Sequence, residues 1–288
     1  MIYKPSKSRI VFNVFNYTAL TLLTLAFVVP YIYILSASFS DEIAFISKGF
    51  TLLPQKWSLE AYRFLIETDS QMITSIFNSL ILTVGGTLVT TVTCTLYAYP
   101  LSRKYLKGNK FFSIYMIFTM LFSGGLIPYY LVVSAFFDDS LLAIIIPGAM
   151  AAYYTILIRN FFLSIPDSFE DAAKIDGAGN FRILLTIFVP LSTPVLATIV
   201  LFAAVSNWNN WVGPMLFITS PWKYPIQYLI QQLLVDVNGI YSNASSTIIP
   251  SQTLKYAAVV LGSMPIIILY PFLQRYFING MIIGGLKE

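Results

Sequence analysis

Long uncharged stretches alternate with short charged segments along this chain of 288 residues. The uncharged stretches cover residues 10–40, 70–102, 111–137, 140–158, 183–222 and 256–274. Each has at least 19 residues, enough for a helix that crosses a hydrocarbon core about 30 Å thick. Backbone polar groups in lipid need partners within their own segment, so these stretches are predicted to be helical. We therefore predict an all-α integral membrane protein with six transmembrane helices near residues 11–36, 75–100, 111–133, 141–162, 184–206 and 256–276.

The lysines and arginines predict how these helices are oriented, because positive charge accumulates in cytoplasmic loops. Twelve of the 17 basic residues lie in the termini, in the loops after the second and fourth helices, or at the helix ends next to them. We expect the N-terminal segment 1–10, the C terminus, the 102–110 loop and the 163–183 loop in the cytoplasm. The 207–254 loop is then external.

Composition agrees with a membrane protein and excludes several kinds of chemistry. Charged residues make up 10% of the chain, against about 25% in a typical soluble domain, and the mean hydropathy is +0.74. The chain has no histidine, which excludes Ser-His-Asp catalysis and His-based zinc sites. It has no phosphate-binding GxxxxGK[ST] sequence either. We therefore expect no enzymatic activity and no metal site.

The segment IPDSFEDAAKIDGAGNFRILLTIFVP, residues 165–190, places six charged residues between two apolar stretches. Pro166 suits the first position of a helix, and Gly177 suits a left-handed helix end. Asn180 is expected to cap a second helix that continues into the fifth span. Phe169, Ala172, Ala173 and Asp176 share one face of the first helix. This thin face predicts docking into a groove on another protein, and a helix lying on the membrane surface is the alternative.

Residues 171–190, DAAKIDGAGNFRILLTIFVP, resemble the EAA loop of ABC importer permeases. The loop pattern is Glu-Ala-Ala, three residues, Gly, nine residues, Ile, one residue and Leu-Pro, and every spacing holds here. Asp171 stands for the glutamate and Val189 for the leucine. FSGGLIPYYLVV, WNNW, YPIQYL and PFLQRYFINGMIIGGLKE resemble the carbohydrate-importer permeases related to the maltose-type small permease, and most of all their complex-oligosaccharide branch.

The resemblance implies a type I ABC importer permease fold over residues 11–288. It implies a permease subunit of an ATP-driven sugar importer, with oligosaccharides as the expected substrates. The expected partners are a second homologous permease in a heterodimer, two cytoplasmic ATPase subunits and an external solute-binding protein. This chain is expected to bind no cofactor, because ATP and Mg²⁺ belong to the ATPase subunits. The expected location is a bacterial or archaeal cell membrane, with both termini cytoplasmic.

The same resemblance, together with sugar chemistry, gives three sets of candidate residues. The ATPase-coupling set is Glu170, Asp171, Ala172, Ala173, Lys174, Asp176 and Gly177. Sugars are recognised by stacked aromatic rings and by amides, and polar groups within spans usually face a cavity. The candidate substrate pathway is Asn78, Tyr97, Tyr129, Tyr153, Tyr154, Asn207, Trp208, Asn209 and Trp211. Tyr and Trp also form interfacial belts, and Asn also ties helices together. Candidate binding-protein contacts are Trp222, Lys223 and Tyr224, and the stretch 236–253 receives no role.

Two alternatives stay open from the sequence. An ion-coupled secondary transporter is expected to carry carboxylates inside its spans, and the six predicted spans contain no interior Asp or Glu. An ABC permease for a non-sugar solute would share the cytoplasmic loop and differ in its pathway residues.

Overall fold

The computed structural model describes residues 7–49, 51–68, 70–235 and 251–285. These residues form helices with short connections, and among them the single β-bridge joins Ser40 to Trp57. The helices are α1 (Lys7–Ser38), α2 (Glu42–Lys48), α3 (Glu60–Arg63), α4 (Ser70–Leu101), α5 (Asn109–Leu121), α6 (Leu126–Phe136), α7 (Leu142–Ile145), α8 (Ala152–Leu163), α9 (Asp167–Ile175), α10 (Asn180–Ile183), α11 (Val189–Leu191), α12 (Thr193–Trp208), α13 (Val212–Phe217), α14 (Ile226–Val235) and α15 (Ser251–Gly285).

Within the described ranges, three helices are long and apolar enough to cross a membrane unaided. These are α1, α4 and the part of α15 over Gln252–Tyr270. Three bent pairs have the same composition: α5 with α6 at 109°, Leu142–Ala149 with α8 at 40°, and Asn180–Leu191 with α12 at 84°. The described residues thus offer up to six spans. The continuous helices predicted at 111–133, 141–162 and 184–206 are each interrupted.

Glycine and proline account for the interruptions. Gly125 has a φ of +90° at the break between α5 and α6, a conformation that favours glycine. Pro147 opens the 3₁₀ turn that separates α7 from α8. Pro190 and Pro194 lie on either side of Ser192, where α11 meets α12. Proline lacks the N–H group that a continuous helix needs and clashes with the preceding turn, so a bend follows.

The described residues group into two units. The first lies within Met1–Ser70 and Leu233–Ser263, and the second within Gln71–Gln232 and Met264–Glu288. In the first unit, the Glu42 carboxylate accepts the N–H groups of Gln252 at 3.0 Å and Thr253 at 2.9 Å. A carboxylate at this position satisfies free N–H groups at the start of α15 and suits the helix dipole there.

A core cluster in the second unit joins the ends of α4, α8 and α12 to the 165–190 segment. Its buried members are Cys94, Ala98, Tyr99, Ile158, Phe162, Ile165, Ile183, Leu184, Phe188 and Ile199. Because Ile165, Ile183 and Leu184 belong to the segment, its two ends are fixed to the membrane helices by apolar packing. The α9 helix between these ends is therefore carried on a packed base.

Candidate functional site

The 165–190 segment folds into a helix, a glycine turn and a second helix, as predicted. The α9 helix has Asp167 and Glu170 in its first turn, where negative charge suits the helix dipole. Pro166 is the N-cap residue, one position before its predicted place. The predicted cap by Asn180 is wrong, because Gly179 holds the cap position of α10 without a side-chain hydrogen bond. The Asn180 amide oxygen instead accepts the Tyr105 hydroxyl at 3.4 Å.

Gly177 ends α9 in the predicted left-handed conformation, with a φ of +77°. Its N–H donates to the Lys174 carbonyl at 3.0 Å, and the Ala178 N–H donates to the Ala173 carbonyl at 2.9 Å. These two hydrogen bonds form a Schellman motif. A Cβ atom added at position 177 would meet no other atom within 4 Å. The left-handed backbone favours glycine here, and the space around its α-carbon is open.

A buried ion pair fixes α9 to the membrane helices. Arg103, just after α4, and Glu170 on α9 each have side chains about one-twentieth exposed, and Arg103 Nη1 lies 2.6 Å from Glu170 Oε2. Arg103 Nη2 also donates to the Phe162 carbonyl of α8 at 3.1 Å. The guanidinium group lies 4.5 Å from the centre of the Phe188 ring. One side chain thus links α4, α8, α9 and the helical segment before α11.

The Glu170 carboxylate remains ionised in this cluster. Burial raises the pKa of Glu170, but the hydrogen bonds from Lys174 and Arg103 outweigh it and hold the pKa below its ordinary value of 4.5. A carboxylate whose pKa is lowered in the folded state stabilises the fold fully at any pH above its ordinary pKa. This stabilisation is lost as the pH falls through the lowered pKa. The ion pair is therefore intact at neutral pH and is lost only in acid.

The structure separates the seven predicted coupling residues by exposure. Glu170 is buried, and Ala173 packs partly against the core cluster. The exposed members are Asp171, Ala172, Lys174, Asp176 and Gly177. Ile175, absent from the prediction, is 87% exposed. It lies about 140° around the helix from Glu170. Had Glu170 been recognised as facing inward, helical spacing would have placed Ile175 on the exposed side.

On a second surface of the same unit, Asp139 holds the turn that carries the predicted binding-protein contacts. Its carboxylate accepts the N–H groups of Thr219 at 2.9 Å and Ser220 at 3.0 Å, and pairs with Lys223 at 2.8 Å. The hydrogen bond from Lys223, followed by those from Ser220, holds the pKa of Asp139 well below its usual range. The charged link is therefore stable throughout the neutral and mildly acidic range.

Two side chains of α4 hold the same turn from the other side. The Asn78 amide donates to the carbonyls of Trp222 at 2.9 Å and Tyr224 at 3.3 Å. The Gln71 amide donates to the Pro221 carbonyl at 3.0 Å. Asn78 was predicted for the substrate pathway, but its amide group donates its hydrogen bonds to the carbonyls of this turn. Trp222 itself is 63% exposed, and the Lys223 ammonium group lies 4.7 Å from the centre of its ring, so a fixed backbone presents an exposed indole ring.

A cavity of about 370 Å³ lies between α4, the break before α8, and α12. Three predicted pathway residues line it: Tyr153, Tyr154 and Asn207. The prediction missed Thr90, Gly148, Ser206 and Asn210, which line it too. Among the described residues, the other predicted pathway residues lie elsewhere: Asn78, Tyr97, Tyr129, Trp208, Asn209 and Trp211. Trp208, for example, lines a separate apolar cavity of about 520 Å³.

The cavity adjoins the break between the Pro147–Ala149 turn and α8. A helix break frees backbone carbonyls, which need other donors inside a membrane. Thr90 Oγ1 donates to the Gly148 carbonyl at 3.1 Å, and Cys94 Sγ approaches the Ala151 carbonyl at 3.6 Å. Thr93 Oγ1 donates to the Ala149 carbonyl. The side chains of α4 thus donate to the carbonyls that the break leaves free. In the sequence, the pattern Thr-x-x-Thr-Cys on α4 together with Pro-Gly at the break would have indicated this arrangement.

Comparison with known proteins places these features in a family. A family model described as "Binding-protein-dependent transport system inner membrane component" matches residues 107–283. The polygalacturonan/rhamnogalacturonan transport system permease protein YtcP of Bacillus subtilis is 39% identical over 98% of this chain and 99% of its own. Protein LplC of Bacillus subtilis is 36% identical over 98% of this chain and 97% of its own.

A solved structure agrees with these relatives. One chain in the crystal structure of a bacterial ABC transporter involved in the import of the acidic polysaccharide alginate has a TM-score of 0.88 to this structure. The two chains are 33% identical, and the match covers 96% of this chain and 99% of the other. The predicted type I ABC importer permease fold is confirmed.

Proposed function

Because the chain belongs to the family of binding-protein-dependent transport system inner membrane components, we propose that α9 couples it to cytoplasmic ATPase subunits. The chain is the permease subunit of an ABC importer for oligosaccharides or polysaccharides, as predicted. It is a multi-pass protein of the bacterial inner membrane and not the ATPase. The alternatives of an ion-coupled transporter and of a non-sugar permease are set aside.

The observation that carries the coupling proposal is the buried Arg103–Glu170 pair. An ATPase can drive the pore only through a rigid connection. A buried guanidinium group, which can donate several hydrogen bonds in fixed directions, supplies such a connection. Arg103 contacts α9 and α8 while it extends from the end of α4. A displacement of α9 would therefore move the ends of α4 and α8 together. Glu170 acts inside the chain in this proposal and does not touch the ATPase.

The surface that would meet the ATPase is the exposed side of α9 and its glycine turn. Ala172 and Gly177 are small residues that let another protein approach this surface closely. Ile175 supplies an apolar side chain that no other part of the chain covers. Asp171, Lys174 and Asp176 surround it with charge. A small apolar centre within a polar rim is the usual anatomy of a protein interface.

We further propose that the permease pairs with a second, homologous permease and receives sugar from an external binding protein. The most hydrophobic 18-residue window of α1 has no buried residue, which suits a helix that packs on another subunit. Both termini and the 163–183 loop are proposed to face the cytoplasm, and the 207–254 loop the outside. Residues 236–250 lie outside the described residues.

The substrate proposed for this importer is an oligosaccharide derived from an acidic polysaccharide. Support comes from the names of two similar proteins, a polygalacturonan/rhamnogalacturonan permease and a transporter of the acidic polysaccharide alginate. Their matches cover at least 96% of this chain. Oligomers of galacturonate and of alginate are therefore the first sugars to test.

Affinity purification of the tagged chain from mildly solubilised membranes, followed by mass spectrometry, tests the assembly. We expect recovery of a second permease and an ATPase. Proteoliposomes containing the recovered complex and the binding protein should then import a labelled galacturonate or alginate oligomer only with ATP. Recovery of the chain alone, with import that continues without ATP, would contradict the proposal.

Replacing Trp222 by alanine should weaken the productive encounter with the binding protein. An exposed aromatic ring on a fixed turn is a typical interface hot spot, and its truncation costs about 2 kcal/mol or more. We expect the binding-protein concentration that half-maximally stimulates ATP hydrolysis to rise about 30-fold. Trp57→Ala is the matched control, since Trp57 is 69% exposed and belongs to the first unit. Equal responses of the two variants would remove the Trp222 turn from the interface.

A further inference from the structure

The cavity beside the broken helix holds polar side chains that the protein does not use. Tyr153, Tyr154, Ser206 and Asn207 all line it. In the part of the chain that the structure describes, no hydrogen bond engages any of these four side chains. Polar groups within membrane-spanning helices usually face a cavity, and these four are exposed or half-buried, so each can reach a molecule that enters it. Four unused groups around one cavity therefore indicate a ligand with many hydrogen-bonding groups of its own.

The cavity has a neutral lining, which limits the kinds of ligand that it can bind. Its described lining contains hydroxyls, amides, tyrosine rings and small apolar groups, and no charged side chain. A carboxylate that entered would find no positive side chain there to compensate for its lost water. Sugar hydroxyls and a ring face match amides and tyrosines instead. The volume of about 370 Å³ lies within the range of small-molecule pockets, about 300–1,000 Å³.

Gly86 on α4 determines where the Asn207 amide lies. A Cβ atom added at position 86 would lie 2.7 Å from Asn207 Nδ2 and 2.9 Å from Asn207 Oδ1. Such distances are shorter than non-bonded contacts allow, so any side chain at position 86 must displace the amide. The neighbouring Gly85 differs, because a Cβ there would meet only Ile145 Cδ1 at an ordinary 3.4 Å.

We propose that this cavity is a sugar subsite of the permease, that it binds the uncharged, hydroxyl-bearing part of a sugar unit, and that Gly86 allows this binding by leaving room for the Asn207 amide. The inference rests on the proposed function, since it names the chemistry that one part of the transport pathway recognises. Asn207 and Tyr154 contact the sugar, and Gly86 is a positioning residue. The carboxylates of an acidic oligosaccharide are bound elsewhere in the importer.

The test compares Gly86→Ala with Gly85→Ala in the complete importer. Both variants add one methyl group to the same helix, so general effects on α4 are matched. The readout is labelled galacturonate oligomer imported per ATP hydrolysed in proteoliposomes. We expect Gly86→Ala and Asn207→Ala each to lower this ratio about fivefold, the effect of one lost hydrogen bond, and Gly85→Ala to keep it. A variant that merely folds poorly lowers import and ATP hydrolysis together and leaves the ratio unchanged.

A matched pair of substrates tests the chemistry. The methyl-esterified galacturonate oligomer has the same ring and hydroxyls as the free acid without its charge. We expect Asn207→Ala to reduce the import of both oligomers by the same factor. A loss confined to the free acid, or a Gly86→Ala importer that matches Gly85→Ala, would overturn the inference while wild-type import still supports the proposed function. No ATP-dependent import by the wild type would instead contradict the proposed function.

Discussion

Replacing Arg103 by alanine should abolish sugar import although the chain still reaches the membrane. The substitution leaves the buried Glu170 carboxylate with Lys174 as its cationic partner, at 2.7 Å, and it removes the donor that holds the Phe162 carbonyl. Removing one partner of a fully buried ion pair costs about 3–5 kcal/mol, and the remaining pair with the partly exposed Lys174 reduces this cost. We expect α9 to separate from the ends of α4 and α8, so that ATP-driven motion no longer reaches the pore. Import, the amount of chain in the membrane and the amount of co-purified ATPase are measured together.

The neighbouring ion pair supplies the control for this experiment. Lys104 and Asp167 also connect the end of α4 to α9, at 3.1 Å, but their side chains are 86% and 64% exposed. Exposed pairs contribute about 0–1 kcal/mol. Lys104→Ala should therefore import sugar at close to the wild-type rate. Similar losses in the Lys104 and Arg103 variants would show that charge near α9 matters more than the buried link.

A double variant separates coupling from stability. Arg103→Met combined with Glu170→Leu removes both charges, and such replacements of buried pairs are often neutral or stabilising. We expect normal membrane levels and normal ATPase recovery from this variant, with import below about a tenth of wild type because the directed hydrogen bonds are gone. Wild-type import by the double variant would mean that the ion pair only stabilises the fold.

The sequence predicted the coupling loop and its glycine turn because both depend on local chemistry. Gly177 adopts the left-handed conformation because it lies just after the end of a helix. The charged residues around it separate two apolar stretches of the sequence. The orientation of Glu170 and Asp171 was not predictable in the same way. These neighbours are both acidic, and the inward one is selected by Arg103, which lies 67 residues earlier in the chain.

The substrate residues were harder to predict, because a polar side chain in an apolar helix has several uses. Asn78 and Asn207 both lie in uncharged stretches. Asn78 holds the Trp222 turn, whereas Asn207 faces the cavity. Only the packing of α4 against α8 and α12 distinguishes the two. The apolar stretches followed from hydrophobic length, yet the breaks near Gly125, Pro147 and Ser192 required the actual backbone.

Replacing Gly177 by aspartate should uncouple transport, and comparison with Gly177→Asn shows why. Asn and Asp both tolerate the left-handed conformation, and a Cβ atom at this position would have no other atom within 4 Å. The two variants thus share their backbone cost and shape and differ in charge. An uncompensated charge buried in the ATPase groove costs several kcal/mol, a loss of about a hundredfold or more in affinity.

We therefore expect Gly177→Asp to lose both the co-purified ATPase and import, while the second permease is still recovered. Gly177→Asn should keep the ATPase and a substantial part of import. The related substitution Ala173→Glu is a poorer test, because Ala173 packs against the core cluster and a buried carboxylate there would disturb the chain itself. Ala172→Glu, on the exposed side of α9, is the better companion. A fully importing Gly177→Asp variant would show that the ATPase contacts this permease away from the glycine turn.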